Sequence, residues 1–333
     1  MHFAISTRRL ATRGGAKFFD PEPGEPSFLI APDDAGAFAP EHRVSGGEPG
    51  KRWAQQVLAR LPPAEARPGK RLDRRAGDIV FFVHGFNTDA ADALRTHKKI
   101  SRALADAGFA HVFVSFDWPS KGSLANYIED SLDAAKAAPA LVETGIALFA
   151  GLNLPDCETR VHVIAHSMGA YVTRCAFDFA PHDENARQRA WMVNQLVLIA
   201  ADGGAASLAG DKAARMLAKA QRTTNYFSGY DIALATSNAK RFLTSPRAGR
   251  WGAPEAVRTR IADVDCSPRY ARLARRETAP IDSHAWYFDD REVFIPDLVA
   301  TLQGDIDRSL LAKRQRDPDN PGRFLLEERG ARA

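Results

Sequence analysis

The stretch Val161-His-Val-Ile-Ala-His-Ser-Met-Gly-Ala170 constrains this chain more than any other. Its first five residues are an apolar run of strand length, and helix-forming sequence resumes at Gly169. Only His166, Ser167 and Met168 remain to turn the backbone from one element into the other. A turn that tight closes only when the residues flanking it are small, as Ala165 and Gly169 are. It leaves Ser167 in a strained backbone conformation with its hydroxyl outward. Ala165 stands where such turns most often carry glycine, and it keeps the small size.

Other apolar runs share this context. Ile79–Val83, Val112–Phe116 and Leu196–Ala200 are continuous, and Thr224–Ser228 and Val257–Ile261 are weaker. Helical patterns separate them at 90–107, 124–152, 169–180, 205–220 and 297–311, with Pro139 expected to kink or split the second. Runs of this kind are strands covered on both faces. The expected fold is therefore α/β, a mostly parallel, doubly wound sheet with helices on both faces. Residues 1–77 read as an extension packed on a main domain of residues 78–311. That extension comprises a short strand at Phe3–Thr7, a long loop over 20–50 rich in Pro, Gly and acids, and a helix at Trp53–Leu61. Residues 312–333 read as a charged tail with an apolar patch at Phe324-Leu-Leu.

At 333 residues and 45% hydrophobic, the chain can bury a core of its own, which excludes whole-chain disorder and a fibrous fold. The net charge is +4, from 45 basic and 41 acidic residues, too small to imply a nucleic-acid partner. The densest basic run, Arg67–Arg75, reads as a solvated linker. Three cysteines, Cys157, Cys175 and Cys266, form no metal-spacing pattern, so no metal or cofactor is expected. The N-terminus has no apolar leader segment and no stretch reads as a membrane span, so a cytoplasmic chain is expected. Ser45–Lys51 imitates a phosphate loop, but it lacks the first Gly, the Ser or Thr after the Lys, and a preceding strand.

An exposed Ser167 at such a turn is a candidate nucleophile, and a nucleophilic hydroxyl needs a base. Of nine histidines, only His182 and His284 follow the turn outside it. His182 lies at the far end of the helix that Ser167 begins, whereas His284 follows the last expected strand through a long loop. The base is therefore placed at His284. Asp231 and Asp202 each end a run at the carboxyl edge of the sheet and can orient that base. Asp231 is preferred because the second strand after the turn is the usual origin of the acid. Two backbone N–H groups are expected to hold an oxyanion, those of Met168 and of Phe86, the latter in the loop His84-Gly-Phe-Asn87. His84, His162 and His166 are read as structural, the side chain of His166 pointing away from Ser167. Trp118, in Asp117-Trp-Pro-Ser120, is a candidate wall of an acyl pocket.

With Val83-His-Gly-Phe-Asn87, Ser115-Phe-Asp-Trp-Pro119, Ala165-His-Ser-Met-Gly169, Ser228-Gly-Tyr-Asp231 and Ser283-His284 in this order, residues 78–305 resemble the α/β-hydrolase superfamily. Within it the chain is similar to the bacterial hydrolases of domain of unknown function 900. The resemblance implies a serine hydrolase with Ser167, Asp231 and His284 as its triad and names no substrate. The expected activity is cleavage of a small-molecule acyl ester through an acyl-enzyme. Acyl transfer, thioester hydrolysis and a non-catalytic binding role are the alternatives.

Overall fold

The computed structural model describes residues 1–63, 76–121, 127–150, 158–179, 191–235, 246–273 and 280–327. Arg67–Arg75, Cys157 and His182 lie outside the described residues. The chain divides into two compact units. The first holds Met1–Ser101, Ala110–Val163 and Val172–Val193, and the second Arg102–Phe109, Ile164–Tyr171 and Asn194–Ala333.

In the first unit the strands β1 (His2–Arg13), β2 (Ala16–Ala31), β3 (Ala76–Val83), β4 (His111–Asp117) and β5 (Glu158–His166, as far as Val163) lie in the order β2-β1-β4-β3-β5. β3 pairs parallel to β4, and so does β1, with Phe3 opposite Val114 and Ser6 opposite Asp117. Ile79 to Val83 are all buried, the state the continuous apolar run implies.

The expected loop over 20–50 is corrected here. Residues 16–31 form a strand antiparallel to β1, despite Pro21, Pro23 and Pro26. Position explains the exception. β2 is the end strand of this order, where an N–H missing from the outer side breaks no ladder bond, and Pro23 sits at the register shift around Arg8. The register shifts around Arg8, and Gly24 lets the chains close up, since a Cβ there would stand 2.5 Å from the Arg9 Cα. The helix Pro49–Ala59 buries Trp53 and Val57, and the Trp53 indole N–H donates to the Leu29 carbonyl at 2.9 Å.

Pro139 neither breaks nor ends its helix. Tyr127–Ala140 runs on into a π-helical turn at Leu141–Ile146, a local widening of the kind that accommodates helix irregularities.

The second unit orders its strands β6 (Val193–Ile199), β7 (Ala220–Phe227), β8 (Ile261–Asp265), β10 (Arg323–Leu326) and β9 (Arg314–Arg316). β7, β8 and β10 are parallel neighbours, and β9 closes the order antiparallel. The expected strand at 257–261 begins only at Ile261, because Glu255–Val257 is a 3-10 turn. Asp263 hid the true strand. It is fully buried, accepting from Asn225 and the Ala253 N–H at 2.9 Å and from Arg323 at 2.9 Å. The last helix spans Phe294–Gln303 rather than 297–311 and stops at Gly304 with φ of 68°. The Phe324 patch is no loose tail. Phe324 and Leu326 are buried in β10 against β8. Arg314 is fully buried, its guanidinium 2.8 Å from Asp297 and 2.8 Å from the Tyr226 hydroxyl.

Candidate active site

β5 ends at His166 and the next helix begins at Gly169. Ser167 sits between them at φ of 55°, a left-handed conformation that costs a non-glycine residue about 1–2 kcal/mol. Main-chain bonds to β6 and the loop after it hold it there. Its N–H donates to the Ile199 carbonyl at 3.0 Å, and its carbonyl accepts the Asp202 N–H at 3.0 Å. The end of β6 and the loop after it thus fix the strained residue. Ala165 and Met168 are buried to either side.

Asp231 follows β7 and is completely buried. Its Oδ1 accepts the Leu234 N–H at 2.9 Å, which aims Oδ2 at His284. His284 lies on the short helix Pro280–Ala285, and its Nδ1 donates to Asp231 Oδ2 at 2.7 Å. That bond leaves Nε2 as the basic nitrogen. Ser283, beside it, accepts the Ile232 N–H at 3.0 Å, tying the two loops a second time. Burial works to lower the His284 pKa. The Asp231 charge and hydrogen bond, together with the Asp202 charge, outweigh it and hold the pKa above the ordinary 6.5. Asp202 itself forms a close ion pair with Arg247, Oδ1 to Nε 3.2 Å.

The side chain of His166 is directed at the segment that carries His284. Its Nε2 donates to the His284 main-chain oxygen at 3.0 Å, and the two rings stand 4.8 Å apart. Phe288 packs edge-on against it at 5.4 Å. The segment carrying Ser167 is thereby joined to the segment carrying His284. No periodicity signals this contact, because it depends on how the loop from β8 returns.

Within the first unit, the loop after β3 carries Phe86, which is half-buried. Asn87 has φ of 56°, and its N–H donates to Ser120 Oγ at 2.8 Å. His84 buttresses the loop, Nδ1 to the Gly85 carbonyl at 2.8 Å and Nε2 to Asp117 at 3.2 Å. Asp117 is fully buried and also binds Arg8 at 2.9 Å, and Arg8 in turn donates to the Thr88 carbonyl at 2.7 Å. Burial opposes the Asp117 charge, but Arg8, His84 and Ser6 hold its pKa down at about 2. Trp118 is fully buried, stacked on His84 with its indole N–H donating to the His84 carbonyl at 2.8 Å. His162 binds Asp78 at 2.8 Å, and Arg160 binds the same carboxylate. The N-terminal partner Arg8 is a residue that sequence reasoning missed, since nothing in Ser6-Thr-Arg8 advertises a buried cation.

Among the described residues no group of three or more His, Cys, Asp or Glu stands together as a metal site. Among the same residues no helix is long and apolar enough to cross a membrane.

The geometry can be set beside known proteins. Residues 64–253, more than half of the chain, match a family described as alpha/beta hydrolase of unknown function (DUF900). The uncharacterized protein alr1448 of Nostoc sp. is 37% identical over a stretch covering 37% of this chain. The chain spans 40% of the length of that curated relative. Among solved structures, a candidate thioesterase from Silicibacter sp. has a TM-score of 0.34 and 13% identity, over 76% of this chain and 89% of that one. Aspergillus fumigatus lipase B has a TM-score of 0.27 and 16% identity, over 60% and 47%. The strand–turn–helix at Ser167, the carboxylate-bound histidine and the family match lead to one conclusion: the chain belongs to the DUF900 family of alpha/beta hydrolases.

Proposed function

We propose that the protein is a serine hydrolase that cleaves carboxylic esters through an acyl-enzyme. The observation that carries this reading is the buried Asp231–His284 pair, 2.7 Å apart, linked to the Ser167 turn by His166. In this reading Ser167 Oγ attacks the acyl carbon while His284 Nε2 takes the hydroxyl proton. Asp231 keeps the proton on Nδ1 and stabilises the imidazolium that forms. The tetrahedral intermediate collapses, the bond to the leaving oxygen breaks, and His284 returns its proton to that oxygen. Water, deprotonated by His284, then attacks the acyl-enzyme, releasing the acid and restoring Ser167. The Met168 N–H, at the start of the helix behind Ser167, is one oxyanion donor. The Phe86 N–H is proposed as the second, from its place in the loop after β3. Trp118 is proposed to support that loop from behind.

A fluorophosphonate probe tests the reading. The expected result is a single adduct at Ser167, abolished in Ser167→Ala and His284→Ala, together with turnover of short p-nitrophenyl esters. A folded wild-type protein that forms no adduct and hydrolyses no ester would sink it.

A further inference from the structure

The segment Arg247-Ala-Gly-Arg250 is placed like a bracket across two loops, the one after β6 whose Asp202 N–H holds the Ser167 carbonyl and the one after β7 that carries Asp231. On one side it is sewn to the loop after β6. The Gly249 N–H donates to the Ala201 carbonyl at 2.9 Å and the Ala248 N–H to the Gly203 carbonyl at 2.8 Å. Arg247 pairs with Asp202, whose own N–H holds the Ser167 carbonyl. On the other side it is sewn to the loop after β7. The Gly249 carbonyl accepts the Ser228 N–H at 3.0 Å, and Arg250 Nη1 donates to the Asp231 main-chain oxygen at 2.7 Å. Gly249 is there for space. A Cβ on it would stand 2.2 Å from the Ala200 carbonyl carbon, so main chain lies directly on main chain.

Ala200 beneath it is itself left-handed, with φ of 49°. A strained backbone persists only where its surroundings over-determine it. Here the bracket supplies that constraint, within reach of the residues that hold Ser167. Two cations are spent on this one short segment. One neutralises a buried carboxylate, and the other caps a main-chain oxygen beside the acid. Removing either loosens the position of a reacting group without deleting it.

We propose that Arg247 and Arg250 are positioning residues, Arg247 acting through Asp202 on Ser167 and Arg250 acting through Asp231 on His284. The inference rests on the triad assignment above and extends it to residues outside the triad. Misplacement of a catalytic group by about 1 Å can cost on the order of a hundredfold in rate. Arg250→Met is therefore expected to lower kcat, and the rate of phosphonylation at Ser167, by about ten- to a hundredfold with KM and Tm nearly unchanged. Arg250→Lys is expected to restore most of the loss, because a single bond to a carbonyl needs one donor and no guanidinium fork.

The experiment measures kcat, KM, Tm and adduct formation for wild type, Arg250→Met and Arg250→Lys. Arg247→Met strands the buried Asp202 carboxylate and is expected to lower Tm, so it is read by its adduct rate well below its own Tm, which keeps the idea refutable if Arg250→Met does not fold. Wild-type labelling with both methionine variants near the wild-type rate would overturn the bracket alone. So would a loss that follows Tm and is not restored by lysine. No adduct in the wild type would overturn the triad reading and the bracket with it.

Discussion

His166 Nε2 donates to the main-chain oxygen of His284 at 3.0 Å, so the residue before Ser167 holds the backbone of His284. A carbonyl only accepts, which fixes the proton on Nε2 of His166. His166→Phe keeps a ring against Phe288 and removes the donor. We expect kcat to fall by about tenfold, the cost of about one hydrogen bond, with KM little changed. Steady-state kinetics on a p-nitrophenyl ester checks this, and an unchanged kcat would mean that the contact only packs.

The pH profile follows from the charge around His284. In the proposed role of base His284 must be neutral to accept a proton, and its pKa is held above 6.5, chiefly by Asp231 against the effect of burial. Ester turnover should therefore fall as pH drops through a midpoint above 6.5. The linked stability has the opposite sense. It is fully present below the unfolded value and fades as pH rises through the folded one. Asp231→Asn should move the acid limb of kcat/KM to lower pH and reduce kcat by about 10⁴. An acid limb that stays in place would separate Asp231 from the base.

Strain at Ser167 gives a stability test that needs no substrate. Ser167→Ala keeps the left-handed φ, whereas Ser167→Gly relieves it. We expect the glycine variant to exceed the alanine variant by about 1 kcal/mol in urea denaturation. Equal midpoints would argue that the turn stores no strain.

Arg314 and Asp297 are both fully buried and bonded at 2.8 Å. Arg314→Met would strand the Asp297 carboxylate among Tyr226 and Thr301. The expected cost is about 3–5 kcal/mol, seen as a lower denaturation midpoint with the Ser167 adduct still formed at low temperature. A shift of only a few tenths would show that this end of the chain contributes little.

The strands with continuous apolar runs were legible because both faces are covered, which writes burial into every residue. The strand–turn–helix at Ser167 was legible for a steric reason, since small residues must flank it. The pairing of Asp231 with His284 followed from order along the chain, although the sequence alone left Asp202 in contention. β2 and β8 were not legible. Their signals are prolines tolerated at an end strand and an aspartate hydrogen-bonded by distant Asn225 and paired with Arg323. The partners that license such residues lie far along the chain, where no local pattern reaches. His166, Arg8 and the Arg247–Arg250 segment escaped for the same reason.

The pairing of β1 with β4 has a practical consequence for anyone who trims this protein. The family match begins at residue 64, yet Phe3 to Ser6 occupy one flank of β4 and Arg8 neutralises Asp117 at its tip. A fragment cut at the family boundary would present β4 as an open edge, its amides and carbonyls free to recruit another chain. It would also carry a buried anion whose main counter-ion had been discarded. Such a fragment should accumulate as aggregate, and adding back the first 31 residues as a separate peptide should recover dispersed protein.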